Sequence, residues 1–136
     1  MKRLIATITL AGLGFQTGMA AGKVEAEVLF ARKVLPLFKA KCLACHGEDT
    51  KKKLKADFDM RTREGLLKGG ESEESSIVPG KPLKSPLYLA VTREYEDDWE
   101  PMPPKENDKL TVEQVGYIKK WIEAEAPWPN AKQLAK

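Results

Sequence analysis

The chain has 136 residues, 42% hydrophobic and 32% charged, with 23 Lys and Arg against 20 Asp and Glu and a formal net charge of +3. Basic and acidic side chains are interleaved and no nucleic-acid-binding motif is present, so no nucleic-acid partner is expected. The length fits one domain, and 2 Cys with 1 His are too few for the four-ligand zinc sites that usually use two separated pairs.

Met1-Lys2-Arg3 is a positive n-region, Leu4 to Phe15 is apolar and uncharged, and Gly18-Met19-Ala20 places small residues before a cleavage point. This is the pattern of a secretory signal peptide over residues 1–20, leaving one domain over residues 21–136. The apolar run is too short for a spanning helix, so no stable membrane span is expected after cleavage; a retained anchor is the alternative. Loss of Lys2 and Arg3 lowers the excess of basic side chains to one. The expected location is periplasmic or otherwise exported.

Residues from about Val24 to Lys41 read as an amphipathic helix with Val28, Ala31, Val34, Leu35 and Phe38 on one face. Pro36 lies inside it and predicts a kink or a second start. The helix delivers the chain into Cys42-Leu43-Ala44-Cys45-His46, which holds both cysteines and the only histidine. C-x-x-C-H is the pattern for covalent attachment of a c-type haem. Two thiols so spaced can add to the two vinyl groups of one porphyrin, and the histidine becomes the proximal iron ligand. A single histidine allows only one such haem. Rival readings are a thioredoxin-like dithiol, which lacks its βαβ setting, a plain disulfide, which leaves His46 unexplained, and two buried cysteines beside a chance histidine.

Lys51-Lys52-Lys53-Leu54-Lys55 reads as a solvated loop, or as a positive patch that steers a redox partner. Thr62 to Gly69 reads as a short helix capped by Thr62 and ended by Gly69. Pro79-Gly80 suits a type II turn. Ser85-Pro86 reads as an N-cap followed by proline at the first helical position, opening a helix to about Arg93 with Leu87 and Val91, or Tyr88 and Val91, inward. Glu94, Glu96, Asp97, Asp98 and Glu100 form an acidic loop before Pro101-Met102-Pro103-Pro104. The last helix carries a capping box at Thr111 and Gln114 and a staple of Leu110 with Val115. Its buried face is Val115, Ile118, Trp121 and Ile122, Pro127 stops it, and Gly116 is expected to let another helix approach. No run reads as a buried strand.

The iron's other face needs a ligand, and no second histidine exists. Of four methionines, Met1 and Met19 lie in the leader. Met102 sits in a proline-rich loop with few backbone conformations, whereas Met60 reads as a core or pocket residue. Met60, a lysine, water or an open site are the alternatives to Met102. Histidine with methionine raises the iron potential and closes the site for electron transfer; an open site would bind a small gas or peroxide.

The ordered set of C-x-x-C-H-G, Thr62 to Gly70 (TREGLLKGG), Ile77 to Pro82 (IVPGKP), Ser85-Pro86-Leu87, Met102-Pro103-Pro104 and a final helix running into Trp121 to Pro129 resembles class I cytochromes c. It is most similar to the planctomycete-type cytochrome c domain, over about Val28 to Pro129. The resemblance implies an all-α class I cytochrome c fold with crossed N- and C-terminal helices around one covalent haem c. It implies thioethers at Cys42 and Cys45, His46 as proximal ligand and Met102 as distal ligand. It also implies that Ile77 to Gly80 lies along the haem, with Arg61 and Arg63 as candidates for a propionate and Trp99 beside Met102. The expected function is single-electron transfer between redox protein partners, with no bond chemistry on a substrate. A haem-based gas sensor or weak peroxidase with a labile sixth ligand, and a fixed electron-entry subunit of a larger periplasmic dehydrogenase, are the competing expectations.

Overall fold

A computed structural model describes residues 17–47, 51 and 53–134. The first sixteen residues of the expected leader lie outside the described residues. Helix α1 spans Thr17–Leu29 and runs through a π-helical turn, Phe30–Val34, into α2, Leu35–Lys41. Proline has no N–H to donate, and its ring crowds the carbonyl of the fourth residue before it. The chain meets this at Pro36 by widening just upstream: the Leu35 N–H bonds to the Phe30 carbonyl, an i→i−5 link. The helix therefore passes the proline without leaving the helical path.

The buried stripe is not the expected one. Ala26, Phe30, Val34, Leu37 and Phe38 are buried, while Val28, expected inward, is 45% exposed. Ala31 and Leu35 are half-buried. The buried residues are themselves spaced i, i+4, i+8, i+11 and i+12, so the helix buries a different face from the one expected, the face that carries Phe30.

Helix α3, Leu43–His46, follows Cys42 directly. After a 3-10 turn at Lys55–Asp57 comes α4, Arg63–Lys68. As expected, the Thr62 hydroxyl accepts from the Gly65 N–H at 3.0 Å, and Gly69, at φ 76°, ends the helix. The Val78–Lys81 turn closes with the Lys81 N–H on the Val78 carbonyl at 2.9 Å, with Gly80 at the φ of 76° that a type II turn requires.

Helix α5, Pro86–Thr92, starts at proline as expected, but Ser85 does not cap it with its side chain. Instead Ser85 is fully buried; its Oγ accepts from the Val78 N–H at 2.8 Å and donates to the Lys81 carbonyl at 2.9 Å. It pins the preceding turn. Leu87 and Val91 are the buried face of α5.

A 3-10 turn at Glu106–Asp108 leads to α6, Val112–Glu123. Its capping box forms in both directions, Gln114 N–H to Thr111 Oγ1 and Thr111 N–H to Gln114 Oε1. Ile118, Trp121 and Ile122 are buried; Val115 is half-buried at the edge of the core that includes Leu110. The helix ends before Pro127. Glu125 and Ala126, both left-handed, turn the chain so that the Pro127 carbonyl accepts from Trp121 Nε1 at 2.8 Å. A last short helix, α7, covers Ala131–Leu134. No strand occurs among the described residues, so the fold is all-α.

Helix α6 packs against α1, the π turn and α5. Trp121 is the centre of this contact. Its ring lies 5.4 Å from Phe30 and 5.8 Å, edge-on, from Phe38, and Trp128 stacks on Phe30 at 4.4 Å. Gly116 does not serve a close helix approach: a Cβ built there meets nothing within 4 Å. Gly116→Ala is therefore expected to stabilise the protein by about 0.5–1 kcal/mol, and Trp121→Ala to destabilise it by about 3–5 kcal/mol. Denaturant unfolding midpoints check both; a destabilised Gly116→Ala protein would contradict the open environment.

Candidate functional site

On a helical turn, residues i, i+3 and i+4 share a face. Cys42, Cys45 and His46 have this spacing and meet it in the backbone: the Cys42 carbonyl accepts from the N–H groups of Cys45 at 3.2 Å and His46 at 3.1 Å. All three line one cavity of about 530 Å³, a size suited to a cofactor. Of the two residues between the cysteines, Ala44 is exposed and Leu43 packs against the hydrophobic core.

The rest of the wall comes from two other regions. Phe58, Met60 and Ser76 contribute from the middle of the chain; Pro86, Leu87, Ala90 and Val91 come from α5. Trp99, Met102, Pro103 and Pro104 complete it from the loop before α6. The acidic loop reaches the rim through Asp98 and Glu100, joined there by Glu71, Glu74, Lys41 and Lys55. Lys41 is paired with Asp108 at 3.3 Å.

His46 is held by one ring nitrogen. Its Nδ1 lies 3.1 Å from the Lys55 carbonyl. A carbonyl only accepts, so Nδ1 carries the proton and Nε2 keeps a free lone pair. Burial lowers the imidazole pKa, partly countered by the Lys55 and Phe58 carbonyls, which keeps the ring neutral at pH 7. Phe58 packs edge-on against it with centroids 5.2 Å apart. The Lys55 carbonyl is aimed by the turn at Ala56 and Asp57, whose φ angles are 55° and 47°. Asp57 is of a type that tolerates left-handed backbone, but Ala56 is not, and no local pattern marks this support.

The thiol chemistry separates the rival readings. Cys42 and Cys45 are both free. Burial, and secondarily the neighbouring Cys45, pushes the Cys42 thiol up to about 12, whereas a redox dithiol needs a depressed pKa and a ready thiolate. Among the described residues no group of three or more His, Cys, Asp or Glu is placed to hold a metal ion. The site has instead two thiols, a neutral imidazole and a thioether around a largely apolar cavity, a donor set that fits a covalently held haem.

Met102 and Trp99 line the cavity together, as expected. Met60 is 3% exposed and belongs to both core and cavity wall. Other expectations are corrected. Ile77 to Gly80 is absent from the cavity lining; its turn is tied to α6, with the Gly80 N–H on the Ile122 carbonyl at 2.8 Å. Arg61 is engaged by Asp59, with Nε and Nη2 on the two carboxylate oxygens. Arg63 donates to the Ala126 and Glu125 carbonyls beyond α6. Neither arginine lines the cavity. Phe38, on the apolar face as expected, is buried against Trp121.

Residues 42–106 match the family model described as Planctomycete cytochrome C. The match runs from the first cysteine to just beyond Met102, so this stretch is similar to the planctomycete-type cytochrome c domain. No curated protein and no solved structure matches the chain. No helix among the described residues is long and apolar enough to cross a membrane.

The Asp59–Arg61 pair, one residue to either side of Met60, gives a pH prediction. Hydrogen bonding and charge from Arg61 hold the Asp59 carboxyl below its ordinary value of 3.8. A depressed folded pKa stabilises the fold above the unfolded pKa, and that contribution is lost as pH falls through the folded value. Asp59 should therefore titrate below the usual range in a carboxyl NMR titration and return to it in Arg61→Gln; an unchanged value in that variant would contradict the pairing.

Proposed function

We propose that the protein is an exported monohaem c-type cytochrome that carries single electrons between redox proteins and catalyses no bond chemistry. In this reading residues 1–20 are removed on export and residues 21–136 form the working domain. Cys42 and Cys45 carry the thioether links, His46 is the proximal ligand and Met102 the distal one. When bound, the haem supplies a one-electron iron couple. The chain's own part is to retain it, ligate it, surround it with apolar wall and leave a polar rim for docking.

The observation that carries this reading is that Cys42, Cys45, His46 and Met102 line a single cavity, although Met102 is distant from the others in the chain. The choice of Met102 over Met60 rests on placement. The Met60 N–H bonds to the carbonyl of His46 itself at 2.9 Å, so Met60 stands beside the proximal histidine. The Met102 N–H bonds instead to the Ala90 carbonyl at 3.1 Å, on the α5 wall. His46 would hold the haem from the attachment turn and Met102 from the α5 wall, so the two donors would come from separately supported parts of the cavity.

The first test is the spectrum of the holoprotein. A low-spin haem with the weak long-wavelength band of iron–methionine ligation in the oxidised form is expected. Met102→Ala should abolish the band and lower the reduction potential, while Met60→Ala should leave the band in place. Reversed outcomes transfer the ligand role to Met60. A high-spin wild-type spectrum with covalent haem would replace the electron carrier by a sensor or peroxidase with an open sixth position.

A further inference from the structure

Met102 is held from both sides by the last turn of α5. On one side its own N–H bonds to the Ala90 carbonyl. On the other, the Pro103 carbonyl accepts from Arg93 Nη2. The same guanidinium reaches the Lys105 carbonyl at 3.4 Å through Nη2, and the Glu106 carboxylate through Nη1. Arg93 thus spans the segment that follows Met102.

Two further facts single out this arginine. Its side chain is only 16% exposed, and its Nε is buried without a hydrogen-bond partner, a desolvation that an outward-turned guanidinium would avoid. Its backbone is left-handed at φ 60° and ψ 20°, closing α5. Glycine would adopt that conformation at lower cost. The position instead carries a planar fork that bridges a carbonyl and a carboxylate, which a lysine ammonium does not reproduce.

We infer that Arg93 is a positioning residue for the axial thioether: its bonds to Pro103 and Glu106 fix the loop so that Met102 stays on the iron. The inference rests on the Met102 ligation proposed above. Arg93 does not line the cavity, so it acts through the loop rather than on the haem.

The test compares holoprotein variants. Arg93→Gly removes the fork while easing the backbone, and Arg93→Lys keeps the charge without the bridge. Arg63→Gln is the control, because Arg63 also ties loop carbonyls but at the far end of α6. Covalent haem and helical content should persist in all three. In Arg93→Gly the long-wavelength band should weaken, and the reduced protein should bind carbon monoxide on the order of tenfold faster than wild type. Arg93→Lys should shift both in the same direction, and Arg63→Gln should shift neither. Unchanged band and carbon monoxide binding in the two Arg93 variants would overturn the inference, as would an equal effect in Arg63→Gln. A wild-type protein lacking the band fails the ligation reading before any substitution is made, and the inference falls with it.

Discussion

Two thiols and an imidazole can face one cavity within five residues only if the backbone between them is a helical turn. That requirement fixes α3, and α3 in turn fixes what precedes it. The Cys42 N–H is still bonded to the Phe38 carbonyl, so the attachment turn is the continuation of the long N-terminal helix. Any rotation of that helix would swing the site. The aromatic contact of Trp121 with Phe30 and Phe38 prevents it, since two rings on the same face of that helix, about two turns apart, clamp the same indole. The core and the site are therefore one problem: the packing that buries Trp121 also aims His46.

The two faces of the cavity are supported differently. On the histidine side the support is backbone, from the carbonyl of Lys55 and the strained turn behind it. Left-handed residues such as Ala56 and Asp57 cost free energy, and the surrounding bonds, including the Glu71 N–H on the Ala56 carbonyl at 2.8 Å, hold them there. On the methionine side the support comes from α5. That helix is itself referenced to the core, because Ser85 ties its start to the Val78–Lys81 turn and Gly80 ties the turn to Ile122. A short run of hydrogen bonds connects the terminal helix to the thioether loop.

The parts legible in the sequence were those governed by local rules. Thr111 with Gln114, Thr62, Gly69 and Pro79-Gly80 act within three or four residues, and each forms the structure its type and spacing predict. The helical spacing of Cys42, Cys45 and His46 was legible for the same reason, and Met102, which two flanking prolines set apart from Met60, lines the same cavity. The errors came where tertiary context decides. A period of 3.6 fits two faces of the first helix, one with Val28 and one with Phe30, and contact with Trp121 selects the second. Ser85 has the right type and place for a cap, but burial beside Val78 and Lys81 offered it better partners. Arg61 and Arg63 stood close to the motif, yet an adjacent carboxylate and the carbonyls past α6 claimed them. Arg93 gave no signal, because nothing local indicates that a residue ending one helix reaches across a loop.

The acidic stretch from Glu94 to Glu100 leaves α5 at Arg93 and returns to it where Met102 meets Ala90. Its two ends are thus fastened to the same helical turn, and the stretch between them is a closed excursion that carries no load for the rest of the molecule. Of the residues it sends to the cavity, Trp99 completes the wall, while Asp98 and Glu100 stand at the rim, where a change of charge leaves the two attachments in place. The charge at the mouth of the cavity is in this way set by a stretch separate from the hydrogen bonds that hold Met102.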